Sequence, residues 1–238
     1  TKCTNTTYPL FYPNMPGYNP YNYTPSTPTN NGTFTISDYF LSNQVSYTAC
    51  NANRPAGLHL TVKIYTSNAL DYNNLPTNIK KLDISIQTDK NYDKNLIDNL
   101  PNSITHLSFY YYFNYPIDNL PNSLIHLIIG DTDFSHPIDF LPNSITYLYL
   151  GSDSFNKPIE CLPISLKELI LPRYFSQSLD SLPMNLTHLT IRGNFSQSLD
   201  NLPKTLTHLI FQNMYSPAIF NQPLNCLPQS LTYLDCSS

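Results

Sequence analysis

Apolar side chains recur along most of this chain at a fixed spacing. From Leu75 onward they occupy six positions per stretch. These are a Leu followed by Pro, then the residues four, seven and nine places on, then a Phe, then an Ile or Leu. In the stretch from Leu182 they are Leu182, Leu186, Leu189, Ile191, Phe195 and Leu199. The fourth and third from last alternate with polar residues, the period of a short strand with one face buried. Leu-Pro itself falls at Leu75, Leu100, Leu120, Leu141, Leu162, Leu182, Leu202 and Leu227, in steps of 25, 20, 21, 21, 20, 20 and 25 residues. A period in this range predicts a solenoid of stacked coils. Proline fixes φ and donates no N–H, which suits the corner entering each strand. A single coil cannot bury enough apolar surface to offset the entropy of ordering it, so several must fold together.

The repeat divides the chain in two. Residues 57–238 form the predicted solenoid, with LHLTVKI (58–64) as an opening coil that lacks Leu-Pro, as terminal repeats often depart from consensus. Residues 1–56 are rich in Pro, Tyr, Asn and Thr and show neither period, so an extended arm and cap are expected there. Within them, Thr33 to Ala49 has the composition for one or two short strands. The tyrosines Tyr8, Tyr12, Tyr18, Tyr21 and Tyr23 offer rigid contact area at modest entropic cost. They are expected to lie over the first coil or to reach a neighbouring molecule.

Composition narrows the function. Charged residues make up 12% of the 238, and the net charge is −4, with +1 on residues 1–56 and −5 on the rest. Neither nucleic acid nor an anionic membrane is an expected partner. No apolar run approaches the length of a membrane span. There is no nucleophile–base motif or His-Glu-x-x-His, and six glycines leave little for a phosphate loop. A non-enzymatic protein without a cofactor is expected. Five cysteines show no metal-ligand spacing, and Cys3 and Cys50 bracket the arm as a candidate disulfide. Cys161 and Cys226 hold the same slot three coils apart, too far to bond. Asn5, Asn22, Asn31, Asn185 and Asn194 head glycosylation sequons. Thr1 stands where an initiator Met would, as after Met excision or signal-peptide cleavage. These features lean towards an extracellular surface or a virion, with the cytoplasm as the alternative.

The phrase F-N-x-P-[IL]-x-x-L-P-x-S-L-x-x-L, as in FNKPIECLPISLKEL (155–169) and FNQPLNCLPQSLTYL (220–234), resembles the FNIP repeat. The resemblance covers about 75–238. It implies a mainly β, leucine-rich-repeat-like solenoid of about eight coils of 20–25 residues, and a protein-binding role. Such repeats occur in social amoebae and in giant viruses of amoebae. Many relatives carry an F-box before the repeats, which implies a ubiquitin-ligase adaptor; residues 1–56 have no helical pattern of that kind.

Stacking the coils sets the outward residues in columns. The first reads Lys81, His106, His126, Tyr147, Glu168, His188, His208, Tyr233; the second Asp83, Ser108, Ile128, Tyr149, Ile170, Thr190, Ile210, Asp235; the third Ser85, Tyr110, Gly130, Gly151, Pro172, Arg192, Gln212, Ser237. By analogy with leucine-rich repeats this is the concave, partner-docking face. Its candidate binding residues are His106, His126, Tyr147, Tyr149, Glu168, His188, His208, Arg192 and Tyr110. The neighbouring histidines are expected to pair as rings across strands rather than to hold a metal, which needs a third ligand. Tyr110, Tyr111, Tyr112, Tyr147 and Tyr149 make an aromatic centre suited to protein contact or sugar stacking. The short polar residue after each Phe is expected to form a buried ladder between coils. Together these point to a structural or interaction scaffold whose arm helps it assemble with copies of itself or other subunits. The alternative is a recognition module for a protein or glycan, and the third reading is the ligase adaptor.

Overall fold

The computed structural model describes residues 4–6, 44–49, 58–64, 79–86, 97–212 and 223–236, the first three segments as backbone only. The arm tyrosines Tyr8, Tyr12, Tyr18, Tyr21 and Tyr23, the cysteines Cys3 and Cys50, and Asn22, Asn31 and Ser237 lie outside the described residues.

The strands are β1 (Thr4–Thr6), β2 (Gln44–Ala49), β3 (Leu58–Ile64), β4 (Ile79–Ile86), β5 (His106–Tyr111), β6 (His126–Thr132), β7 (Tyr147–Leu150), β8 (Glu168–Leu171), β9 (His188–Arg192), β10 (His208–Gln212) and β11 (Tyr233–Asp235). They form one sheet in sequence order. β1, β2 and β3 pair antiparallel. From β3 to β11 every neighbour pairs in parallel. No helix occurs among the described residues; where the crossovers between parallel strands are described, they run through turns and bends. The chain is therefore a leucine-rich-repeat-like solenoid.

The core follows the six-position pattern. The inward strand residues, such as Leu148 and Leu150 or Leu189 and Ile191, are at most 1% exposed. Behind them the repeat Phe residues form a spine. Phe113, Phe134, Phe155 and Phe175 succeed one another at ring-centroid distances of 6.0, 6.0 and 6.3 Å, near parallel. The one-coil step sets that spacing, so identical positions stack on themselves.

The corners show why the phrase contains Pro and Ser together. In the coils from Leu100 to Leu227 the Pro carbonyl accepts the N–H three residues on, at 3.0–3.1 Å, which closes a turn. The Ser two places after Pro reaches back one coil. Ser123 donates to the Ile104 carbonyl at 2.6 Å, Ser144 to Leu124 at 2.6 Å and Ser230 to Leu206 at 2.7 Å. Thr205 does the same to Leu186, while Asn185, where Ser is replaced, donates its amide to the Ile164 carbonyl directly after the Pro. These carbonyls face a corner without a strand partner, so the hydroxyl satisfies them.

The structure corrects the expected buried ladder after the Phe. Asn114, Asn156, Ser176 and Ser196 are exposed and Ser135 is half-buried. The Phe turns inward, so its successor projects outward at the bend. Asn114 and Asn156 still cap the next coil, their side-chain oxygens accepting the Ser135 and Ser176 N–H at 3.1 and 3.0 Å. The ladder that faces the coil interior belongs instead to the Ser of the Leu-Pro-x-Ser phrase. Among the described residues one polar side chain is fully buried: the Ser152 hydroxyl sits between the carbonyls of Thr132 and Phe134, at 2.8 and 2.9 Å. Cys161, Cys226 and Cys236 are free and exposed.

The outer sheet face as candidate functional site

Parallel, in-register pairing carries the outward residues into rows about 4.8 Å apart. In the first row Lys81 faces His106, and His106, His126, Tyr147, Glu168, His188, His208 and Tyr233 follow in unbroken register. Their rings stack: His106 on His126 at 4.4 Å and 18°, His126 on Tyr147 at 5.2 Å and 20°, His188 on His208 at 4.2 Å and 15°. His208 and Tyr233 are tilted at 5.5 Å. Glu168 separates the two ring groups. Among the described residues no group of three His, Cys, Asp or Glu side chains is placed to hold a metal ion.

A recurring Thr-His dipeptide sets how three of these histidines present themselves. Thr105, Thr187 and Thr207 donate to the carbonyl one coil back, at 3.1, 3.0 and 3.0 Å. Each hydroxyl also lies 2.9 Å from Nδ1 of the following histidine. The one hydroxyl proton goes either to that carbonyl or to Nδ1, so which ring nitrogen carries the proton follows from that choice. The dipeptide is plain in the sequence, but its meaning depends on the neighbouring coil's carbonyl.

His126 follows Ile125 and has no such partner in its own dipeptide. Burial first, then the nearby Lys81 charge, hold it below the usual 6.5, with Glu168 opposing. Tyr147 is raised, chiefly by burial and then by Glu168. A histidine with a depressed folded-state pKa takes up its proton more readily when unfolded. Stability therefore falls as pH drops through 6.5 towards the folded value. Melting temperature should decline between pH 7.5 and 5.5, and the decline should be shallower in His126→Gln. An equally steep decline in that variant would assign it elsewhere.

The second and third rows supply the apolar and aromatic centre. Ile128, Tyr149 and Ile170 are neighbours in register and half-buried. Two glycines make room for flat rings. A Cβ on Gly130 would lie 2.6 Å from the Tyr110 ring, and one on Gly151 would lie 2.5 Å from the Tyr149 ring. The Arg192 guanidinium donates to the Tyr149 hydroxyl at 3.0 Å from two coils away, 5.8 Å from the ring centroid. Tyr149 is thus held by a glycine floor and an arginine clamp.

One expectation changes here. The pairing of β5 with β6 shifts register between Phe109 and Tyr111, so Tyr111 pairs with Thr132. Tyr111 takes φ 62°, a conformation that costs an L-residue roughly 1–3 kcal/mol. It is 55% exposed, and Tyr112 beyond it is 50% exposed. Both leave the row where the strand ends, so of the five tyrosines only Tyr110, Tyr147 and Tyr149 stay on the face. Of the sequon residues, Asn185 and Asn194 are exposed on the coils, and the backbone of Asn5 pairs with Thr48.

No helix among the described residues is long and apolar enough to cross a membrane. No curated protein matches the sequence. The chain is similar in fold to Toll from the Toll–Spatzle complex of Drosophila, at 13% identity and a TM-score of 0.58, over 74% of this chain and 29% of that one. It also matches CroV588, described as a novel circular LRR protein structure, at 28% identity and a TM-score of 0.36, over 68% of this chain and 34% of that one. It spans about a third of the length of these solved chains. The profile described as FNIP Repeat matches residues 92–132, 134–174 and 175–213, just over half of the sequence. With the strand, turn and Phe positions of its coils following that repeat, the chain belongs to the FNIP repeat family.

Proposed function

We propose that the protein is a non-enzymatic interaction scaffold that holds a protein partner against its outer sheet face, centred on Tyr147 and Tyr149. The pre-set geometry of Tyr149 carries this reading. A ring already fixed over Gly151 and clamped by Arg192 loses little freedom on binding, so more of its contact energy appears as affinity. Tyr and Arg are also the residue types that dominate interface energetics. A protein is the occupant favoured by fold likeness, since Toll was solved in complex with Spatzle.

The Pro/Tyr arm is the second reading, favoured by its point of attachment. β1 and β2, which flank most of the arm in sequence, pair at the sheet end opposite β11. There the arm would join the scaffold to a neighbour in an assembly. One side-by-side experiment separates the two. Partners captured by the native assembly are compared for Tyr147→Ala with Tyr149→Ala, and for a chain lacking residues 1–30. The face reading expects the double variant to weaken capture at least ~10-fold, about 1.4 kcal/mol, with the deletion neutral. The arm reading expects the reverse. Capture unchanged by both would reject both.

A further inference from the structure

Across β7, β8 and β9 the three outward rows carry two permanent charges, Glu168 and Arg192. Both are half-buried. Neither makes an ion pair with another described residue, whereas Arg173 and Asp153 close by pair at 3.6 Å. Arg192 commits one donor to the Tyr149 hydroxyl, at 3.0 Å, out of the five N–H groups of a guanidinium. The two charges are held along one strand. Glu168 opens β8. Arg192 stands on β9, but its side chain reaches Tyr149 on β7, so it crosses β8 on the way. The Tyr149 ring leans over Gly151, its hydroxyl 3.1 Å from where a Cβ there would lie. The guanidinium that meets this hydroxyl is therefore level with Gly151 and Pro172. Pro172 follows Glu168 by four residues, about 13 Å of strand. Ile170 lies between them, half-buried.

We infer that the occupant of this face is an extended segment of a partner protein, lying along β8 with a basic, an apolar and an acidic side chain at alternate positions. The inference rests on the reading of this face as the partner-binding surface and specifies the partner's chemistry. Charge complementarity selects the occupant. The basic side chain meets Glu168, the acidic one meets Arg192, and the apolar one lies on Ile170 between them. An extended chain projects residues i, i+2 and i+4 from one side across about 13 Å. Five residues therefore meet all three positions, where a helix needs about nine to cover the same distance. Arg192 suits a carboxylate in particular, because a guanidinium fork can donate two parallel hydrogen bonds to its two oxygens. Its bond to Tyr149 already holds it in place, which lowers the ordering cost on binding. Each charge is half-buried without a counter-charge, so a partner of matching order supplies one and a partner with like charges is repelled.

The test is selection from a randomised library of linear peptides displayed on phage, against the 238-residue chain and against Glu168→Lys. That substitution keeps the Arg192 clamp and makes both ends of the strip positive. The native chain is expected to enrich peptides with one basic and one acidic residue four apart and an apolar residue midway. Glu168→Lys, with unchanged circular dichroism, is expected to enrich peptides with two acidic residues at that spacing. A peptide selected on the native chain should bind Glu168→Gln roughly 10-fold more weakly, and the difference should vanish once its basic residue is replaced by Gln. The same peptides enriched on both forms, charges selected at helical spacing, or no enrichment on the native chain would overturn the inference. Tyr147→Ala with Tyr149→Ala distinguishes this failure from that of the underlying reading. Peptides that need the two tyrosines but carry no paired charges would reject the charged segment and keep the face. Peptides indifferent to both the tyrosines and the charges would reject both.

Discussion

Phe155→Ala is expected to cost about 3–5 kcal/mol of stability, the largest loss from any single truncation outside the corners. Phe155 is fully buried, with Phe134 at 6.0 Å on one side and Phe175 at 6.3 Å on the other. Its neighbours cannot collapse into the gap, because each ring is held by its own coil and the coil step is fixed by the strand ladder. The ring shares the buried core with Leu150 of β7 and Leu171 of β8, which are also fully buried. The substitution therefore opens a void at the middle of the stack, where the repeats on either side depend on their mutual interface. Equilibrium urea unfolding measures the loss directly, with Phe140→Ala, at a position 70% exposed, as the control. A change below about 1 kcal/mol for Phe155, within the range of ordinary surface substitutions, would show that the Phe spine does not hold the coils together.

Gly193→Ala should cost at least about 2 kcal/mol, and for a different reason. Gly193 has φ +72°, a backbone conformation that costs an L-residue roughly 1–2 kcal/mol. A Cβ there would also overlap the carbonyl oxygen of Arg173 and lie 2.6 Å from its Cγ. The obstacle is backbone of the adjacent coil, which cannot swing aside. The Gly193 N–H meanwhile donates to the Gln212 carbonyl at 2.8 Å, so moving the residue loses that bond as well. Gly151→Ala is the informative comparison. The three atoms nearest its new methyl all belong to the Tyr149 side chain, which can rotate away. Gly151→Ala is expected to leave thermal stability nearly intact and to release Tyr149 from Arg192. Gly193→Ala is expected to lower the melting point by several degrees. Equal melting points for the two variants would remove the distinction between a backbone and a side-chain obstacle.

Much of this architecture is legible before folding. The Leu-Pro spacing gives coil length, coil number and strand position, because a solenoid repeats one local solution and each coil contacts only its neighbours. The same regularity makes the rows on the outer face readable. Once His106 and His126 hold the same place in successive coils, in-register pairing must bring them together. The reading fails where a residue's meaning lies in another coil's backbone. The Ser of Leu-Pro-x-Ser recurs openly, yet its role depends on a carbonyl 19–24 residues away that lies one coil back. The polar residue after the Phe recurs as well, but whether it faces in or out is set by how the bend turns once the Phe is buried.

Periodicity therefore determined the fold, the strand register and the identity of the residues sharing the outer face. These follow from local sequence because a one-coil translation relates every contact to its counterpart. Tertiary structure decided what breaks that translation. It set the shift between β5 and β6 that takes Tyr111 and Tyr112 off the face, and the clamp from Arg192 to Tyr149 across two coils. It also set the exposure of Leu234 in β11, 41% where Leu209 at the same coil position is fully buried. Each is a property of one coil's place in the stack, and a repeat pattern carries no information about place.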